Sequence, residues 1–174
     1  GHGRGDDGPP DCSLQMSSYS SGGGGGTTLT DHEQVYYVSA SHGDDGNSGK
    51  TTEDALATIG QGLTNASGDT PSASNVIRIH VIDGARYAES LTHVAFTEIH
   101  APSAELFGVI AVVDDSFTQF ARVTSTGATV SLISKGAGAG TARVRVGIID
   151  ASNLINFGAT CTSGTIVVEG NTID

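Results

Sequence analysis

YYVSASHGDDGNSGKTTEDALATIGQGL, residues Tyr36 to Leu63, sets three local signals end to end. Tyr36, Tyr37 and Val38 form a β-type run, and His42 to Gly49 is so dense in Gly, Asp, Asn and Ser that it has to turn. From Thr51 onward the period becomes helical: Ala55, Leu56, Ile59 and Leu63 fall on one face at 3.6-residue spacing. Thr51 and Thr52 precede that face as N-cap residues, and Glu53 and Asp54 occupy the first turn, where the helix dipole favours negative charge. Gly60 and Gly62 each weaken the helix by up to about 1 kcal/mol relative to Ala. The stretch therefore predicts a strand, a turn and a short helix held by its apolar face.

A polar link, Asn65 to Asn75, leads into VIRIHVIDGARYAESL, residues 76 to 91, a strand that runs into the Asp83-Gly84 turn and a second short extended piece. This succession resembles the opening of right-handed parallel β-helix, pectate-lyase-like proteins. The matching residues are Tyr36 to Ser39, Gly43 to Gly49, Ala55 to Ile59 and Ile79 to Glu89. The resemblance implies a parallel β-helix whose first coil is covered by a cap over residues 35 to 63. In this wording the opening is similar to those of tail fibres, tailspikes and other appendages of tailed bacteriophages, and related openings stand at the front of polysaccharide lyases and hydrolases. It implies a fold more firmly than an activity.

Composition agrees with a fold built from small and β-branched residues. Of 174 residues 25 are Gly and none is Trp, and the length suits one domain with a sizeable core. Nineteen acidic residues against eight basic ones leave a formal charge of -11. No Lys/Arg cluster offers phosphate contacts, so no nucleic-acid partner is expected. No run approaches the roughly 20 apolar residues that span a bilayer, and no membrane partner is expected either. Cys12 and Cys161 are the only cysteines, one near each end, which reads as two free thiols and not as a disulfide scaffold.

Residues 1 to 33 hold Pro9-Pro10, a serine cluster from Ser17 to Ser21 and five glycines from Gly22 to Gly26, a composition that cannot bury enough apolar surface to offset its ordering entropy. They read as a flexible arm or assembly tether, with Leu14, Met16 and Tyr19 as apolar anchors, ahead of a domain over residues 34 to 174. Arg4-Gly5-Asp6 spells an integrin-binding tripeptide, a three-residue match that the Gly-rich context explains without a function, and Asn65-Ala66-Ser67 is a glycosylation sequon, which matters only on a eukaryotic secretory route.

From Asn75 onward the chain reads as strand after strand: Val76 to Ile82, Thr97 to Ala101, Leu106 to Val113, Phe117 to Val123, Thr129 to Ser134, Ala142 to Ile149, Leu154 to Phe157 and Thr165 to Glu169. Ile77, Ile79 and Val81 alternate with Arg78 and His80, and Val144 and Val146 with Arg143 and Arg145, so these strands have one wet face. Leu106 to Val113 is apolar on both faces and asks for a neighbour. The fold class expected is all-β, a right-handed parallel β-helix, with a β-sandwich or jelly roll as the alternative that strand spacing alone also fits. The closing GTIVVEGNTID reads as a wall of a coil, whose open edge calls for a covering subunit or for further chain.

Residues able to do chemistry are few. Asp114-Asp115 is the nearest approach to the paired carboxylates of glycoside cleavage, yet neighbours on a strand point to opposite faces and at a turn cap backbone amides. Asp44, Asp45 and Asn47 offer oxygen ligands for calcium, but the twelfth position counted from Asp45 is Leu56 and not an acid, so turn formation is the expected role. The histidines at 2, 32, 42, 80, 93 and 100 lack zinc-ligand spacing, and His80 and His100 occupy outward strand positions. Phe96, Phe107, Phe117, Phe120 and Phe157 sit among apolar neighbours and read as core or packing residues. No catalytic, cofactor-binding or metal residue is assigned. The expectation is a non-enzymatic structural protein of a tailed-phage virion, a tail fibre or tailspike portion or a particle-decorating appendage. It is expected to form a homo-oligomer, most simply a trimer, to meet other virion proteins through the N-terminal arm, and to present its surface to a host-surface glycan. The alternative is the N-terminal portion of a polysaccharide lyase or glycoside hydrolase with a β-helix fold, and an extracellular adhesion module also fits the acidic surface.

Overall fold

The computed structural model describes residues 12–18, 34–124, 133–135, 140–150, 155–157 and 164–173. They form an all-β body with one helix. Two sheets carry it, and every strand pairing within them is parallel. The larger runs in the order β1 (Cys12–Ser18), β12 (Gly164–Ile173), β10 (Thr141–Asp150), β8 (Ser116–Thr124), β6 (Thr97–Phe107), β3 (Ile77–Val81), β2 (Gln34–Val38), with β4 (Arg86–Tyr87) also on β6. The smaller runs β11 (Ile155–Phe157), β9 (Ile133–Lys135), β7 (Ile110–Val112), β5 (Leu91–Thr92). From β5 to β12 the chain alternates between the sheets, and from β6 on each strand pairs in parallel with the strand two elements earlier. Parallel neighbours need crossovers of this kind, since hairpins join only antiparallel strands.

The period-2 alternation read from the sequence is what stacks the core. Tyr36, Ile79, Ile99, Thr118 and Val144 are register partners in one inward column, all buried, and Val38, Val81, Ala101, Phe120 and Val146 follow two residues on. Leu91 and Ile110 begin a facing column on the smaller sheet, in register with Ile133 and Ile155. Each buried Ile or Leu contributes about 1.5–3 kcal/mol. Between the columns the wet face carries Arg78, His80, Glu98, His100, Arg143 and Arg145, as the alternation requires.

The helix is Ile59–Gly68 and not a helix from Thr51, and its N-cap is Thr58, whose Oγ1 accepts from the Gln61 N–H. Ala55-Leu56 is drawn instead onto the sheet edge, where Leu56 bridges Val38 in parallel and exchanges hydrogen bonds with Tyr37 and Ser39. Thr51 accepts from Asp54 N–H within a turn. Gly62, which weakened the helix on propensity, is what lets it lie against the core: a Cβ there would stand 3.1 Å from Ile79 Cγ2.

The apolar run Leu106 to Val113 is not one strand. Leu106 and Phe107 end β6, which reaches them past an irregularity at Ala101/Glu105, and Gly108 turns the chain into β7 of the other sheet. A Cβ on Gly108 would sit 1.8 Å from the Glu89 carbonyl oxygen, so only Gly fits. Of the four phenylalanines whose side chains are described, only Phe120 is a buried core residue; Phe96, at φ 57, Phe107 and Phe117 are half-exposed, and Phe157's side chain lies outside the described residues.

Within the expected flexible arm, Cys12–Ser18 forms β1 and covers the β12 edge, with Cys12 opposite Gly164 and Ser18 opposite Gly170. Cys12, Leu14 and Met16 alternating with Ser13, Gln15 and Ser17 is a strand pattern that the surrounding Gly and Ser overshadow. The remainder of residues 1 to 33, most of Thr129 to Ser134, and Cys161 lie outside the described residues.

Candidate functional site

The GDDGNSG turn spends its polar groups on structure. Asp45 Oδ1 accepts from Ala57 and Thr58 N–H, and its Oδ2 from Thr58 Oγ1, each at 2.9 Å. Asp44 Oδ1 accepts from Gly46 N–H, and Asn47 Nδ2 donates to the Ala55 carbonyl. Glu89 arrives from the next circuit and accepts from Ile59 and Gly60 N–H at 3.0 and 2.8 Å. Asp45 and Glu89 thus supply the negative charge at the start of the helix that the sequence assigned to Glu53 and Asp54.

Beside this turn lies a second polar knot. Asp83 accepts from Ser39 Oγ at 2.9 Å, from Ser41 N–H and Oγ, and from Tyr87 Oη at 2.8 Å. His42 Nδ1 lies 2.9 Å from Ser39 Oγ. These are the residue types of a hydrolytic triad in the wrong order, because the serines bond the carboxylate directly and no imidazole stands between them. Partial burial pushes the Asp83 carboxyl up, but the hydrogen bonds from Tyr87, Ser39 and Ser41 outweigh it and hold the group below the usual carboxylate range. Burial and Asp83 together push the Tyr87 hydroxyl well above its ordinary value, so it stays a donor.

Asp114 and Asp115 do not face each other across a cleft. Asp115 is exposed at φ 54, its N–H donating to Thr141 O and its carbonyl accepting from Phe96 N–H. Asp114 turns to Lys135 on β9, whose Nζ lies 2.6 Å from Oδ1 and whose side chain is fully buried. Burial alone would raise the Asp114 carboxyl; the hydrogen bonds from Lys135 and Gly140 and the lysine charge outweigh it and lower it.

What remains is the outer face of the larger sheet. Tyr37, His80, His100, Gln119, Arg145 and Glu169 form one register row, and Arg78, Glu98, Phe117 and Arg143 run beside it. Tyr37 meets the His80 ring edge-on at 6.0 Å, and His100 tilts against Phe117 at 5.0 Å. Glu98 takes Arg78 at 3.4 Å and His100 at 3.1 Å, while Glu169 takes Arg145 at 2.8 Å. A shallow groove of about 160 Å³ between Pro102, Gln119, Arg145 and Glu169 is floored by Phe120 and Val146. Of six arginines in an acidic chain, five lie on strands of this sheet: Arg78, Arg86, Arg122, Arg143 and Arg145. Alternation alone marked this face, but not the pairing of its charges, which needs the register between circuits. It can bind by stacking and hydrogen bonding; its carboxylates are held by arginines and not poised for proton transfer.

His93, which the sequence marked only as lacking zinc-ligand spacing, is buried. Its Nε2 faces the Phe117 carbonyl at 3.1 Å, and its Nδ1 lies 3.0 Å from the Val94 carbonyl and 2.9 Å from the Thr97 hydroxyl, which itself donates to Val94 O. Burial pushes its pKa down; His80 is lowered too, by burial and by the charges of His100 and Arg78. Since the unfolded chain takes up these protons near pH 6.5 and the folded one does not, stability is complete above that value and declines as pH falls below it. Denaturant midpoints are expected to drop between pH 7.5 and 5.5, and His93→Gln should flatten the drop; an unchanged slope would remove His93 from the account.

Comparison with protein-family models, with curated proteins and with solved structures finds no match for this chain.

Proposed function

We propose that the chain is a structural, non-enzymatic module of a tailed-phage virion, built as a right-handed parallel β-helix and standing as a homotrimer. The observation that carries the reading is the circuit itself: strand after strand of the larger sheet pairs in parallel with the strand one turn on, while the smaller sheet receives the intervening strands. Parallel crossovers within one sheet are right-handed in about 98% of cases, which supports the handedness. The strand-turn-helix opening that resembles phage appendages supports the virion assignment. The structural employment of Asp44, Asp45, Asp83, Glu89 and Asp114 supports a non-enzymatic role. Val109, Ala111 and Val113 remain half-exposed on the outer side of the smaller sheet, an apolar strip that association would cover. The arginine-bearing face of the larger sheet is then left to meet a host-surface glycan, and the N-terminal arm other virion proteins.

Two measurements test the reading. Sedimentation at micromolar concentration is expected to give three times the 17.5 kDa chain mass or whole multiples of that trimer; a monomer would refute association, and a dimer only the number three. Incubation with acidic and neutral polysaccharides is expected to release neither reducing ends nor unsaturated products. Release that disappears in Asp114→Ala or Asp115→Ala would favour the alternative, a lyase or hydrolase.

A further inference from the structure

We propose that β1 of one molecule docks on β12 of a second copy, joining molecules end to end through that strand. The inference rests on the stacked-circuit reading above and is independent of the virion assignment. β1 matches the β12 edge over its whole length, Cys12 to Ser18 against Gly164 to Gly170, and brings Leu14 into register with the buried Ile166.

What the match does not require is that both strands belong to one chain. β1 and β2 stand at opposite ends of the larger sheet, six strand steps apart, which is about 29 Å at roughly 4.8 Å per step. Gln15 and Val35 share a cross-sheet row, traced through Val167, Arg143, Phe117, Glu98 and Arg78, which sets Leu14 level with Gln34. Ser18 therefore lies a further four residues along, and the separation from Ser18 to Gln34 is roughly 32 Å. Residues 19 to 33 join them, and a Gly-rich connection of that length has a relaxed span of only about 20–24 Å. Docking on its own β12 stretches the connection by roughly half. Docking on a β12 edge that abuts the β2 end does not.

The spacing in the sequence agrees. The interval from Met16 to Tyr36 equals that from Ile79 to its register partner Ile99, so the connection has the length of one circuit and suits a step to the adjacent layer. β1 is not simply another strand on its own β2, because the outer edge of β2 is taken: Tyr37 N–H donates to Gly49 O, Tyr37 O accepts from Leu56 N–H, and Ser39 N–H donates to Leu56 O. β1 instead completes the last layer of the molecule ahead, directly beneath this cap. Such a contact is heterologous, and repetition gives an open row of molecules.

Engineered disulfides separate the two connections. Gln15 and Val167 are register partners across β1 and β12, within the Cα separation that a disulfide spans. With Cys12→Ser and Cys161→Ser in the background, a Gln15→Cys chain mixed with a Val167→Cys chain is expected to give a cross-linked species of twice the chain mass on mild oxidation. The chain carrying both substitutions is expected to give a ladder of multiples. Internally linked monomer at every concentration from micromolar upward, or no cross-link, would overturn the inference. Thr92→Cys with Ala111→Cys, partners on β5 and β7, reports stacking itself. Closure there beside an all-internal Gln15/Val167 link would overturn only the end-to-end contact; failure there would remove the stacked reading with it.

Discussion

Ile110→Asp is expected to unfold the protein, whereas Val109→Asp is expected to leave the fold intact and dissociate the oligomer. The two residues are adjacent, but Ile110 is fully buried in the column with Leu91 and Ile133 while Val109 stands half-exposed on the opposite side. Asp at position 110 forfeits about 1.5–3 kcal/mol of burial and adds the cost of an unpaired carboxylate among aliphatic groups, with at most a protonated acid as the escape. Together these exceed about 4 kcal/mol, against a typical domain stability of about 5–15 kcal/mol. Val112 is buried as well but is less diagnostic, because its register partner Lys135 offers a cation to an introduced carboxylate. Circular dichroism and sedimentation read both outcomes: a folded Ile110→Asp would refute the inward column, and an undissociated Val109→Asp would move the subunit contact away from the smaller sheet.

Asp114→Ala is expected to destabilise the fold by up to about 3–5 kcal/mol, because it removes a carboxylate that stands 2.6 Å from the buried Lys135 ammonium. A buried charge that loses a neighbouring counter-charge costs more than a missing contact, so Asp114→Ala combined with Lys135→Met should recover part of the loss; Met fills similar space and carries no charge. Denaturant unfolding of the two single variants and the double variant measures this. A double variant no more stable than Asp114→Ala would show that the carboxylate acts through its bond with Gly140 instead. The pair also has a pH signature. The folded Asp114 carboxyl is depressed, so its contribution is complete above about pH 4 and is lost as pH falls through the folded value. Asp83, depressed by its own hydrogen bonds, adds to the same acid loss.

Which residues face inward was determined by the sequence wherever charge and β-branching alternate: Ile77, Ile79 and Val81 against Arg78 and His80, Val144 and Val146 against Arg143 and Arg145. That reading succeeds because the side-chain period of a strand is a local property. The turn at His42 to Gly49 was equally legible, since Gly, Asp and Asn act on their own backbone. Only the tertiary structure decided where the helix starts, because the group that satisfies its first N–H donors, Glu89, comes from later in the chain, while Asp45 from the earlier turn holds the N–H groups of Ala57 and Thr58 just ahead of it. It also decided that Gly62 is a packing residue, that Gly108 divides an apolar run between two sheets, and that Lys135 and His93, polar by sequence, are buried. These outcomes follow from contacts between successive circuits, and the separation of partners along the chain is set by crossover lengths that no local period encodes. The seating of β1 on β12 is the extreme case: the strand pattern of Cys12 to Ser18 lies in the sequence, but its partner stands at the far end of the chain.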